Sequence, residues 1–206
     1  MTTQREATQA QPLARRGRPR SERAHLAILR SASELLAEGG FAALSMDAIA
    51  ARAGASKATI YRRWPNKSAV VMDAYLHDTG SEIAFPDTGS TVDDLRLQLS
   101  AVIRAMYASP AGRTIATLVA ESQHDPTLAR AFRERFLAVR RADATRALDR
   151  GRARGELRAD LDTGVVIDLL YGALYYRLLV SGEPTGDGYA DQLVDLVLPA
   201  LRPRES

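Results

Sequence analysis

Cysteine is missing from all 206 residues. Its absence excludes disulfides, thiol catalysis and any zinc or iron–sulfur site built on thiolates. Histidine is scarce, and His25, His77 and His124 stand far apart without metal-ligand spacing, so neither a metal site nor a cofactor is expected. No G-x-x-x-x-G-K-[ST] loop is present to cradle a phosphate. Period-two alternation is lacking too, which argues against strands. The polar N-terminus has no apolar core of the kind a secretory signal carries. The longest apolar run, Val165 to Val180, contains Asp168 and Arg177 and falls short of the roughly 20 residues of a membrane span. These gaps predict a soluble, cytoplasmic chain with no membrane partner and no enzyme chemistry. Lysine is confined to Lys57 and Lys67, the other basic side chains being arginines, a bias that a GC-rich genome explains more simply than chemistry does.

What is present is unevenly spread. Residues 1–70 hold twelve basic and five acidic side chains, whereas the remainder holds sixteen and twenty. A basic head on a mildly acidic body suits a polyanion at one end and another task at the other. Residues 1–20 lack apolar periodicity and read as a disordered basic arm. From Ser21 the pattern is helical, with Ile28, Ala32, Leu35 and Leu36 on one face and a stop at Gly39-Gly40. Ser45 then caps a short helix that Gly54 ends. Ser56 caps a second one, Lys57–Arg63, which Pro65 stops, and Asn66 caps a fourth helix reaching about Asp78. Past the turn-forming linker 79–90, helices are expected near 92–108, 111–123, 126–153, 162–181 and 187–201. The prediction is an all-α chain of about nine helices.

Two short helices joined by a tight Ala-Gly-Ala-Ser turn, the second rich in Lys, Thr, Tyr and Arg, meet the needs of a helix-turn-helix. At about 100° per residue, Ile60 and Trp64 share the inward face of the second helix. Ala58 and Arg62 then face outward, flanked by Thr59 and Tyr61. An outward arginine suits a guanine edge and a small alanine suits a thymine methyl. Ser45, Thr59, Tyr61, Arg63 and Lys67 lie at helix starts or flanks, where hydroxyls and cations meet phosphate, and Lys67 adds charge to amides already aimed at an anion.

The segment GFAALSMDAIAARAGASKATIYRRWPNKSAVV resembles the DNA-binding signature of the TetR/AcrR family of bacterial regulators, with Trp64 at a position more often Phe. Close similarity runs over residues 26–72. The resemblance implies a homodimer that binds a palindromic double-stranded DNA operator and is released by a small-molecule effector. It implies phosphate contacts from Ser45, Thr59, Tyr61, Arg63 and Lys67, and base contacts from Lys57, Ala58 and Arg62. The domains expected are the arm 1–20, the helix-turn-helix domain 21–67, and a helical effector-binding and dimerisation domain 68–206. In the arm, Arg16-Gly17-Arg18-Pro19-Arg20 resembles an AT-hook, which places Arg16, Arg18 and Arg20 toward a minor groove.

In the body, Val165–Val180 is apolar on every face, and such a helix must be buried all round. Together with the Leu193, Leu196, Val197, Ala200 stripe it predicts an isologous interface formed by the last two helices. An effector pocket is expected between helices four and eight. Its candidate walls are Met72, Tyr75, Met106, Leu118, Phe132, Phe136 and Tyr175, with Arg113, Gln123 or His124 as polar anchors. The reading favoured is a repressor released by ligand; the alternative is an architectural DNA-binding protein without effector control.

Overall fold

A computed structural model describes residues 18–80, 83–186 and 188–204 of the chain. Among them there is no strand, and the helices are α1 (Arg18–Ala43), α2 (Met46–Ala53), α3 (Lys57–Tyr61), α4 (Lys67–Thr79), α5 (Thr91–Tyr107), α6 (Pro110–Ser122), α7 (Pro126–Phe132), α8 (Ala138–Ala153), α9 (Thr163–Tyr176) and α10 (Tyr189–Leu201). A π-helical segment, Arg133–Leu137, fuses α7 and α8, so the ten segments form nine rods. A second π turn, Arg177–Ser181, extends α9.

The boundaries follow local chemistry. Ser45, Ser56, Asn66, Ser90, Ser109, Asp125 and Asp162 each accept a backbone N–H in the first turn of the helix they precede, which satisfies donors the helix cannot pair internally. At the end of α2, Gly54 takes φ 60°, ψ 29°, and its N–H and that of Ala55 return to carbonyls of α2. That left-handed residue sets the sharp turn into α3.

Three boundaries differ from the sequence reading. Helix α1 starts at Arg18, three residues into the stretch assigned to the arm, because a proline such as Pro19 is tolerated in the first turn, where its missing N–H has no partner to lose. It breaks at Gly40 (φ 70°, ψ −178°) as expected, but a further turn follows to Ala43. Helix α3 ends at Tyr61 rather than Arg63; the N–H of Trp64 still bonds to the Ile60 carbonyl at 2.9 Å, so the turn winds on beyond the helix proper.

One apolar core runs through the described residues. Ile28, Leu29 and Ala32 of α1 meet Ile49 of α2, Ile60 of α3 and Trp64 beneath the helix-turn-helix. Helix α4 carries the core onward, since Val70 and Val71 lie in it near the head while Met72 and Tyr75 extend it toward α6 and α7. The α9 rod, Thr163–Ser181, reaches 19 residues and is apolar enough by length and composition to cross a membrane, unlike the expectation from the shorter run. Nor is it buried on every side. Val166, Ile167, Leu170 and Leu174 face the protein, while Val165, Leu169, Tyr176, Leu179 and Val180 are exposed along the opposite side.

Candidate DNA interface and ligand cavity

The outward face of the helix-turn-helix gathers most of the residues singled out for DNA. Ser45, Lys57, Ala58, Tyr61, Arg62 and Arg63 are exposed, Thr59 and Lys67 half-buried, and Ile60 and Trp64 buried beneath them. Arg62 forms the C-cap of α3. The Ser56 and Thr59 hydroxyls bond to each other at 2.9 Å, and the Lys57 ammonium pairs with Asp47 of α2 at 2.7 Å. Arg52 of α2 forks onto both Glu38 oxygens, at 2.6 and 2.8 Å, and fixes α2 against α1. Lys67 differs from the simple phosphate-facing role. Its ammonium donates to the Phe41 carbonyl at 2.8 Å and stands 4.2 Å from that ring's centroid. Arg16 lies outside the described residues, and the backbone of Arg18 and Arg20 forms the first turn of α1.

Beneath α3, Trp64 is held on several sides. Its indole N–H donates to Asp73 Oδ2 of α4 at 2.8 Å. The His25 ring stacks on the indole with centroids 5.2 Å apart and planes 5° from parallel. The Arg63 guanidinium sits 5.6 Å from the indole centroid. Burial, and then the nearby Arg63, push the His25 imidazole below its ordinary pKa, which favours the neutral ring on that face. The other Asp73 oxygen pairs with Arg135 in the π segment between α7 and α8.

The body contains a partly open cavity of about 380 Å³, toward the small end of the roughly 300–1,000 Å³ range of ligand pockets. Tyr75 of α4 and Ile83 and Phe85 of the following loop form one wall. Gln98, Val102, Ala105 and Met106 of α5 form a second, and Phe136, Leu137, Arg140, Arg141 and Asp143 a third. Ile167, Asp168, Tyr171, Gly172 and Tyr175 of α9 complete it. Of the residues proposed from sequence, Tyr75, Met106, Phe136 and Tyr175 therefore meet in one cavity.

The other six stand elsewhere. Met72, Leu118 and Phe132 are buried core residues, Phe132 stacking on Phe136 with centroids 5.3 Å apart. Arg113, Gln123 and His124 are exposed. The polar groups of the cavity are different ones. Gln98 is 3% exposed, accepts the Tyr171 hydroxyl at 2.5 Å, and donates to the Ile83 carbonyl at 3.4 Å. Arg141 pairs with Asp168 at 2.6 Å, while Asp143 is shared between Arg146 and, at 3.7 Å, Arg140. Burial raises the Tyr75 and Tyr171 phenols and pushes Tyr175 up to about 12, so these hydroxyls stay protonated at neutral pH. Tyr171, which the sequence leaves open as either pocket wall or interface aromatic, precedes Tyr175 by one helical turn and lines the cavity with it.

Comparison with known proteins agrees with this architecture. The family model for bacterial regulatory proteins of the tetR family matches residues 28–74, and that for the tetracyclin repressor-like C-terminal domain matches residues 85–197. The chain is 45% identical over 180 residues to YdeS, an uncharacterized HTH-type transcriptional regulator of Bacillus subtilis strain 168, covering 87% of this chain and 90% of YdeS. It is 34% identical over 183 residues to the DNA-binding transcriptional repressor TetR of Mycobacteroides abscessus, covering 88% of this chain and 95% of that protein. The crystal structure of the TetR family transcription regulator SCO0332 superposes with a TM-score of 0.76 at 38% identity, over 87% of this chain and 99% of that one. The chain belongs to the TetR family of DNA-binding transcriptional regulators.

Proposed function

We propose that this regulator is a cytoplasmic, dimeric repressor, released from a palindromic operator when a small molecule fills the α4–α9 cavity. The observation that carries the reading is the placement of two consecutive residues in the π segment. Phe136 lines the cavity, and its neighbour Arg135 grips Asp73, which in turn holds Trp64 under the reading helix. A π segment is a local irregularity in a helix, often placed at functional sites. A ligand pressing on Phe136 shifts Arg135, and the pull on Asp73 reaches α3 through Trp64. Such a ligand acts only through its greater affinity for the shifted state.

Two further features support the reading. The exposed side of α9 carries Val165, Leu169, Tyr176 and Val180, and α10, which contacts α9, exposes Leu196 to 79%. An exposed apolar stripe on two adjacent helices suits an isologous contact with a second copy. Repression is supported by the Mycobacteroides abscessus relative, itself a repressor. An architectural protein has no use for a ligand-sized cavity linked to its reading helix, so that alternative ranks below.

Footprinting on the DNA upstream of its own coding region, across a salt series, tests this function. The expected result is a protected palindrome bound about 10³-fold or more tighter than random DNA. Diffuse protection that fades uniformly with salt contradicts it, because phosphate contact alone behaves that way.

A further inference from the structure

The charges that line the cavity are unevenly compensated. Its two carboxylates are both engaged, Asp168 by Arg141 and Asp143 by Arg146 and Arg140. Gln98 has its oxygen occupied by Tyr171 and one N–H directed to Ile83, which leaves its second N–H. Among the described residues the Tyr175 hydroxyl has no hydrogen-bond partner. Arg140 stands at 3.7 Å from Asp143, 3.5 Å from the Gly80 carbonyl and 5.9 Å from the Phe136 ring centroid, with its side chain 21% exposed. Each carboxylate already faces an arginine that neutralises it, whereas Arg140, the second Gln98 N–H and the Tyr175 hydroxyl have donors to spare, and the carboxylate nearest Arg140 is shared with a second arginine. A cationic ligand meets carboxylates whose charge an arginine already compensates. An anionic one finds an arginine, an amide and a phenol able to donate to it.

The rest of the wall is apolar and rich in rings: Tyr75, Phe85, Phe136, Tyr171 and Tyr175 surround the space, and Val102 and Met106 close it. Rings of this kind favour a flat aromatic body in offset or edge contact. The volume of about 380 Å³ suits a small ligand of one or two rings rather than a long chain or a macrocycle. We infer that the cavity takes a small aromatic carboxylate, its rings among the tyrosines and Phe136 and its carboxylate on Arg140 and the Tyr175 hydroxyl. The inference rests on the reading of the cavity as the effector site and adds the chemical class of the effector.

The test is calorimetric titration of the full-length protein with benzoate, 1-naphthoate, 2-naphthoate and biphenyl-4-carboxylate, each beside its methyl ester and the corresponding primary amine. At least one acid is expected to bind about tenfold or more tighter than its ester, the margin of a charge-assisted hydrogen bond, and the amines are expected not to bind. Arg140→Gln is expected to erase the preference of acid over ester, and Tyr175→Phe to reduce it several-fold. Both substitutions remove polar groups from a cavity wall, and thermal unfolding establishes that the variants remain folded. Should Arg140→Gln fail to fold, the acid-to-ester ratio in the wild type and in Tyr175→Phe decides. Esters or amines binding as well as the acids overturn the inference, and so does the absence of binding by every acid. Failure of the repressor reading is separable. An acid that binds with the expected preference yet leaves operator affinity unchanged supports the ligand class and contradicts release. A neutral or cationic compound that binds in place of the acids and releases the operator overturns the class and supports release.

Discussion

The indole N–H of Trp64 and the carboxylate of Asp73 meet at 2.8 Å, a bond that joins the end of the reading helix to the helix that leads into the body. Trp64 is 2% exposed, so removing the acceptor strands a buried donor. Asp73→Ala is expected to cost about 1–3 kcal/mol and to lower the melting temperature by several degrees. Asp73→Asn keeps an acceptor and is expected to melt near the wild type. Calorimetric unfolding of the two variants decides, and equal losses from both would mean that charge rather than the indole bond matters.

The reading face yields a contrast between two residues. Arg62 is exposed at the end of α3, and Arg62→Ala is expected to lower discrimination at one base position by about 1–3 kcal/mol. Lys67 is engaged by Phe41 inside the head. Lys67→Ala is therefore expected to lower thermal stability and, by removing a cation from the head, to weaken binding to all sequences alike. Competition binding against operator and random DNA separates these effects. A loss for Arg62→Ala that is equal on both DNAs contradicts its base-reading role.

Acid stability has a local origin at Glu156. Hydrogen bonds from Arg154 and from Thr91, at the start of α5, hold its carboxyl down from an ordinary 4.5 to about 2. A carboxylate with a depressed native pKa stabilises the fold above its unfolded pKa and loses that contribution as pH falls toward the native value. The difference in melting temperature between wild type and Glu156→Gln is thus expected to be largest above about pH 5 and to shrink steadily toward pH 2. A difference independent of pH over that range points to packing instead.

At the proposed dimer surface, Leu196 stands 79% exposed on α10. A charge at the centre of an apolar contact is costly to bury, so Leu196→Glu is expected to shift the protein from dimer to monomer in analytical ultracentrifugation. Its melting temperature, measured on the monomer, is expected to change little. A variant that remains a dimer places the contact elsewhere.

Legibility in the sequence followed the range of the interactions. The turn between α2 and α3 was readable because Ser45, Gly54 and Ser56 act on their own neighbours. The outward face of α3 was readable because Ile60 and Trp64 fix its rotation. The cavity was readable only in part. Tyr75, Met106, Phe136 and Tyr175 look like core from their spacing and happen to border an opening, whereas Met72, Leu118 and Phe132 look the same and pack solidly. Gln98 and Arg140 gave no signal, since a polar residue on a helix reads as solvated until the neighbouring rods are placed. Asp73 was missed for a related reason: its partners Trp64 and Arg135 lie nine and sixty-two positions away, and only the crossing of α4 with α7 and the π segment brings them to one carboxylate. The arm's Arg16, outside the described residues, remains as the sequence left it.

The link from cavity to reading helix can be tested before any effector is known. Ala105 is buried and borders the cavity, so Ala105→Phe fills part of it from within and stands in for a ligand. Operator affinity, measured by fluorescence anisotropy on the footprinted site, is expected to fall about tenfold or more, within the usual range of allosteric coupling. Affinity for random DNA is expected to hold, and Ala105→Phe combined with Arg135→Ala is expected to recover most of the loss. A folded Ala105→Phe protein that binds its operator as tightly as the wild type contradicts ligand release through this cavity.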